Sequence, residues 1–164
     1  MPHFPIFLSL KQKNLLMIGA GPVALRKIKS LLSFEPNIKV VALEAHPEIL
    51  KMAEEGKIEV NLRSFCEEDL EGAEMVFIAI NDQQKAVEIG KKAKERGIPV
   101  NIANSPEDST FYFPALVQEG DFVIGISTSG QSPALSRAFR MILEQKLKGK
   151  LEGLVQKWGL QRIS

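Results

Sequence analysis

The chain has one cysteine, two histidines, one tryptophan and one tyrosine in 164 residues, and its formal net charge at pH 7 is only +1. Cys66 has no second cysteine to pair with and no metal-ligand spacing around it, so neither a disulfide framework nor zinc organises the fold, and a reducing compartment is implied. His3 and His46 are equally isolated and are read as surface residues; no metal is expected. The near-zero charge gives no basic face for nucleic acid. No apolar run approaches the length of a membrane span. Residues 4–10 form a short apolar stretch, but Pro5 interrupts it and no basic segment precedes it, which does not describe a signal peptide. A cytoplasmic protein with no nucleic-acid or membrane partner is expected. What remains, 45% hydrophobic and 25% charged residues, is the composition of a globular domain with a sizeable core.

The chain is organised around residues 14–27. The apolar run Leu15-Leu16-Met17-Ile18 breaks into Gly19-Ala20-Gly21, and then into a mixed apolar and basic pattern from Pro22. That reads as buried strand, tight turn and helix. The glycines fall where the backbone turns sharply and lets a pyrophosphate approach, with Ala24 at the third small position. A helix over residues 22–33 aims its N-terminal N–H groups at the anion, and Pro22 suits its first turn. A second apolar strand, residues 38–43, ends at Glu44, twenty residues beyond Ala24. Dinucleotide folds place there the carboxylate that accepts from ribose hydroxyls.

Ahead of this motif, residues 4–10, 11–14 and 15 onward read as strand, turn and strand, with Pro5 assigning the first to a sheet edge. Beyond it, helix (46–55) and strand (58–62) alternate, followed by an acidic helical turn (67–71) and an almost wholly apolar strand (75–80). A helix over 82–96, with Asn81 or Asp82 as its cap, leads to a strand over 98–102. This alternation predicts an α/β fold: a Rossmann-type, doubly wound parallel sheet that binds ligand beyond the carboxyl ends of its strands. Those ends carry Gly19, Ala20 and Gly21, then Leu43 and Glu44, then Asn81, and finally Asn104.

After Asn104 the pattern changes. A polar loop leads to a hairpin, 111–118 and 122–127, turning at Glu119-Gly120-Asp121. Ser127-Thr128-Ser129-Gly130-Gln131-Ser132-Pro133 then opens a helix over 133–148, and a second helix holding Trp158 completes the chain. The expected organisation is a nucleotide-binding domain over 1–110, a hairpin-plus-helix region over 111–148 and a helical remnant over 149–164. The hydroxyl-rich turn reads either as a helix cap or as an anion site. Arg26 and Lys27 read either as a solvated helix face or as contacts to an acidic ligand, and Asp82 as helix cap or as a ribose or nicotinamide contact.

Residues 4–8 (Phe-Pro-Ile-Phe-Leu), the run from Gly19 to Lys27, Phe111-Tyr112-Phe113-Pro114-Ala115 and residues 127–133 together resemble the precorrin-2 dehydrogenase family, the NAD-dependent part of siroheme synthase, in several members also a ferrochelatase. The resemblance covers about residues 1–148. It implies NAD as cofactor, precorrin-2 (a tetrapyrrole) as substrate, sirohydrochlorin as product, and dimerisation through the hairpin-and-helix region, hence a homodimer. It places Pro22, Val23, Leu43 and Glu44 on cofactor positions and Thr128 on a serine of the substrate cleft. Ser127, Ser129 and Arg137, one turn into the helix, would suit the carboxylate rim of such a macrocycle.

Two departures accompany the likeness. The family's acid–base aspartate corresponds to Asn104, and an amide cannot ionise. Asp108 shares the loop and is the substitute candidate. The chain also stops at Ser164, where longer members continue. Both put ferrochelatase activity in doubt while leaving NAD binding intact. Two further readings stand beside the dehydrogenase: a non-catalytic NAD-binding regulatory module, which does not call for residues 111–133, and a degenerate member that only binds a tetrapyrrole.

Overall fold

The computed structural model describes residues 3–150. The chain divides into two compact units: Phe7–Phe111, and residues 3–6 with 112–150 of the described part. The helix expected around Trp158 lies outside the described residues.

The larger unit is built on β1 (Asn14–Ile18), in which Leu15, Leu16, Met17 and Ile18 are all buried. Such a strand has no polar face to show to water, so it occupies the centre of the sheet. β2 (Asn37–Ala42) pairs with one edge and β4 (Met75–Ile78) with the other, Ile18 lying opposite Val41 and Ile78. β3 (Glu59–Leu62) and β5 (Val100–Ile102) complete the all-parallel order β3-β2-β1-β4-β5. Crossovers in parallel sheets are right-handed. The reversal of direction after β3 therefore sends α1 (Pro22–Leu31) and α2 (Pro47–Glu54) to one face and α3 (Gln83–Glu95) to the other. Single 3₁₀ turns, Leu32–Phe34 and Glu67–Leu70, close two of the connections.

Alternation along the strands sorts the core. Leu16, Ile18, Val41, Val76, Ile78, Val100 and Ile102 pack with Ala86, Ile89 and Ala93 of α3. Phe77 and Asn101, opposite one another across β4 and β5, belong to the face that α1 covers. At β5 the sheet ends without an exposed ladder. Thr110 Oγ1 accepts from Val100 N at 2.8 Å and Ser109 Oγ from Ile102 N at 2.9 Å, while Thr110 N donates to Val100 O. These groups satisfy the backbone that an edge strand leaves open to pairing.

The strand expected over residues 4–10 does not form; residues 3–10 carry no regular structure. The turn after it exists, with Lys13 N donating to Leu10 O at 2.9 Å, but a hairpin needs an edge of β1, and β2 and β4 occupy both. Pro5 further removes a donor.

In the smaller unit, β6 (Ala115–Glu119) and β7 (Phe122–Ile126) form an antiparallel hairpin around a two-residue turn, Gly120 and Asp121. The first strand starts four residues later than the apolar run suggested, at the residue after Pro114. α4 (Pro133–Leu147) follows.

Candidate functional site

The carboxyl ends of β1, β2, β4 and β5 converge where the strand order reverses, between β1 and β4, and there the sequence-marked residues gather. Gly19 N continues the sheet by donating to Val41 O at 2.9 Å, and Ala79 N donates to Ile18 O at 2.8 Å. Gly19 has φ +98, and a Cβ built on it would lie 2.3 Å from Ala79 O. Its glycine is a demand of the sheet itself. Gly21 differs. As N-cap of α1 it has φ −83 and ψ −169, which any residue adopts, and a Cβ there would meet nothing within 4 Å. No neighbour in the fold requires glycine at 21; its missing side chain leaves open space over the start of α1.

That start is equipped for an anion. α1 has no side-chain cap and no acidic residue in its first turn, and Pro22 sits at its head. The first N–H groups of the helix and its positive dipole end remain for a ligand. The loop after β2 is drawn to the same place by His46 N, which donates to Ala20 O at 2.9 Å. Leu43, 72% exposed, and exposed Glu44 lie in that loop, immediately before this tie. A dinucleotide fits: Ala20, Gly21, Pro22 and Val23 would hold its phosphates, Glu44 a ribose and Leu43 an apolar ring face, and bound nicotinamide would supply a hydride acceptor. Asn81 is exposed at the end of β4, while the cap of α3 is Asp82, whose Oδ1 accepts from Lys85 N at 3.0 Å. A cavity of about 460 Å³ lined by Asn14, Asn37, Lys39, Glu59 and Asp69 opens at the opposite, amino-terminal end of the strands and has no part in this site.

Asn104 follows β5 with φ 64 and is exposed. That left-handed conformation is one that asparagine tolerates well. Asp108 turns to its own loop, its Oδ2 accepting from the Ser105 hydroxyl at 2.6 Å.

One histidine adds a role to its surface reading: His46 Nδ1 accepts from Glu48 N at 3.2 Å and caps α2. The His-Pro step ahead of an apolar helix was the available signal. Lys27 departs from its reading as part of a solvated helix face. It is 8% exposed, its Nζ donates to Asn101 Oδ1 at 2.8 Å, and it lies 5.9 Å from the centre of the Phe77 ring. Asn101 Nδ2 in turn donates to Phe111 O. Burial, aided by the Arg26 charge, lowers the Lys27 pKa to about 8. Helical periodicity put Lys27 on the covered face, but nothing in the sequence named Asn101 as its partner.

The smaller unit carries the hydroxyl-rich loop. Ser132 caps α4, accepting from Leu135 N at 3.3 Å. Thr128 Oγ1 accepts from Ser132 N at 2.9 Å, Ser127 Oγ from Ser129 N at 3.0 Å, and Ser129 Oγ from His3 N at 3.1 Å. Each of these hydroxyls spends an acceptor on a backbone N–H and keeps its O–H to give. Arg137 is exposed on α4.

Comparison with known proteins agrees with this geometry. A family model described as NAD(P)-binding matches residues 6–115. The siroheme synthase of Pseudoalteromonas atlantica is 35% identical over 156 residues, 95% of this chain and 34% of that protein. The siroheme synthase of Methylococcus capsulatus is 33% identical over 144 residues, 88% of this chain and 30% of that protein. The chain thus spans about a third of the length of these relatives. The solved structure of SirC, precorrin-2 dehydrogenase, superposes with a TM-score of 0.73 at 31% identity, covering 88% of this chain and 71% of that one. The chain belongs to the precorrin-2 dehydrogenase family of NAD(P)-binding proteins.

Proposed function

We infer that this chain oxidises precorrin-2 to sirohydrochlorin with NAD, a step of siroheme biosynthesis. The observation that carries this is the reach of the SirC likeness: it covers 88% of the chain, more than the nucleotide-binding unit alone contains. A regulatory nucleotide module would account for that unit and leave the hairpin, the hydroxyl loop and α4 without purpose. In this reading Gly21 and the uncapped start of α1 receive the dinucleotide, and Ser127, Thr128, Ser129 and Arg137 donate to the acetate and propionate rim of the substrate. NAD is the preferred nucleotide because Glu44 accepts from a ribose 2′-hydroxyl and repels a 2′-phosphate. A reducing cytoplasm suits the lone, exposed Cys66. A homodimer suits α4, where Leu135, Phe139, Met141 and Ile142 are each about half exposed, more apolar surface than a monomer usually shows. Light scattering at micromolar concentration that gave a monomer mass would reject that assembly.

An anaerobic assay tests the activity: purified protein, precorrin-2 and either NAD or NADP, followed by the sirohydrochlorin spectrum. Sirohydrochlorin forming faster with NAD is the expected result; tetrapyrrole binding without turnover would instead favour the degenerate carrier. The same preparation, given sirohydrochlorin and Fe²⁺ or Co²⁺, should insert metal weakly. Asn104 cannot act as a base, and general-base contributions are typically ~10²–10⁴-fold. Asn104→Asp should therefore raise metal insertion. If wild type inserts metal efficiently and Asp108→Ala leaves that unchanged, neither residue is the base.

A further inference from the structure

His3 is held at two points, one on the hydroxyl loop and one at the start of the hairpin segment. Its backbone N donates to Ser129 Oγ at 3.1 Å, and its ring lies 4.1 Å from the Tyr112 ring, centre to centre, at 44°. These contacts belong to one compact unit, which brings the amino-terminal residues, the start of the hairpin segment and the 127–132 loop together. The aromatic contact takes up a ring face, while the rest of the exposed imidazole stays open to solvent or a ligand. Chemically the loop is one-sided. Ser127, Thr128, Ser129 and Ser132 all accept backbone N–H groups and offer O–H donors, as a carboxylate-fringed ligand requires. Hydroxyls of this kind do not take up a proton near neutral pH. An imidazole does.

We propose that His3 is the proton acceptor for the substrate held on the 127–132 loop. This rests on the reading that the chain oxidises precorrin-2. Oxidation removes two hydrogens from the macrocycle. One leaves a ring carbon with its electron pair, as hydride, to the nicotinamide of NAD. The other leaves as a proton; the electron pair of its broken bond becomes the new ring double bond, the His3 imidazole takes the proton, and water removes it afterwards. The Tyr112 ring packs against the imidazole, while the Ser129 hydroxyl meets the His3 backbone.

His3→Gln tests this, because the amide keeps size and polarity but cannot accept a proton, and the exposed position leaves folding undisturbed. The variant should lose on the order of 10² in kcat with a nearly unchanged KM for precorrin-2. It should also lose the acid limb of the kcat–pH profile and recover part of its rate with added imidazole. A second readout needs neither NAD nor turnover. The chain has two histidines, so the His3 ring signal is identified in an NMR spectrum by its absence from His3→Gln, and adding sirohydrochlorin should shift both that signal and its titration. An unmoved His3 signal, or a variant with wild-type kcat and pH profile beside an active wild type, overturns the role of His3 and leaves the dehydrogenase standing. A wild type that forms no sirohydrochlorin overturns the dehydrogenase first, and the proton acceptor with it.

Discussion

Two helices in this protein start with a proline after a small-residue turn, and they treat their N-termini in opposite ways. α1 follows Gly21 and Pro22 without any side-chain cap. α4 follows Ser132 and Pro133 with the Ser132 hydroxyl on Leu135 N. The first keeps its N–H groups and positive end for a ligand and strips away the side chain that would block approach. The second satisfies its own N-terminus and presents hydroxyl donors from the preceding loop. One turn leaves backbone donors open, the other side-chain donors. The sequence pattern alone allowed both to be anion-binding helix starts; only α1 keeps its N-terminus free of a side-chain cap.

Gly19→Ala should have the largest effect. It places a Cβ 2.3 Å from Ala79 O at φ +98, both of which favour unfolding, so a loss of about 3 kcal/mol or more is expected in urea denaturation. Gly21→Ala should leave stability within about 0.5 kcal/mol. If it unfolds the protein as Gly19→Ala does, the division between a structural and a ligand-facing glycine is wrong.

Next comes the pH dependence set by Lys27, whose counterparts on α4, Arg137 and Arg140, lie less deeply buried. Its folded pKa of about 8 lies below the ordinary lysine value of 10.5, so between these values the unfolded chain binds more protons. Stability contributed by this group is therefore lost in full below about pH 8 and rises with pH toward 10.5, by about 3 kcal/mol at most. Lys27→Met should remove that slope. An unchanged slope in the variant would mean that other groups set the alkaline limb.

Gly21→Ala returns as a binding test: NAD affinity in calorimetric titration should fall roughly tenfold or more, about 1.4 kcal/mol, because the added methyl stands in the open space over α1. Unchanged affinity would show that the phosphates lie elsewhere. The smallest effect is Ser132→Ala, worth about 1 kcal/mol of stability through the lost cap, with NAD affinity unchanged. A fall in NAD affinity there would blur the contrast between the two helix starts.

Most of the nucleotide-binding unit was legible because its signals are local. Four-residue apolar runs, a glycine turn and an acid after the second strand each follow from backbone geometry within a few residues, and the helix boundaries fell within a few residues of expectation. The strand expected at residues 4–10 failed because pairing is not local: its pattern was adequate, but the edges of β1 belonged to β2 and β4. Lys27 was misread for the same reason, its partner Asn101 lying 74 residues away. The cap that His46 makes is local, two residues away, and adds to its surface reading.

The sequence by itself determined that a parallel α/β sheet forms and that a nucleotide-binding turn follows its first strand, since periodicity and turn chemistry act over short range; the central place of that strand came from the packing. Only the tertiary structure decided why Gly19 and Gly21 are glycine, because that depends on whether Ala79 or open space lies beside them. It alone set Lys27 on Asn101, and His3 against Tyr112 and Ser129. Contacts between residues far apart in the chain depend on how the elements pack, and a linear pattern carries no measure of that distance.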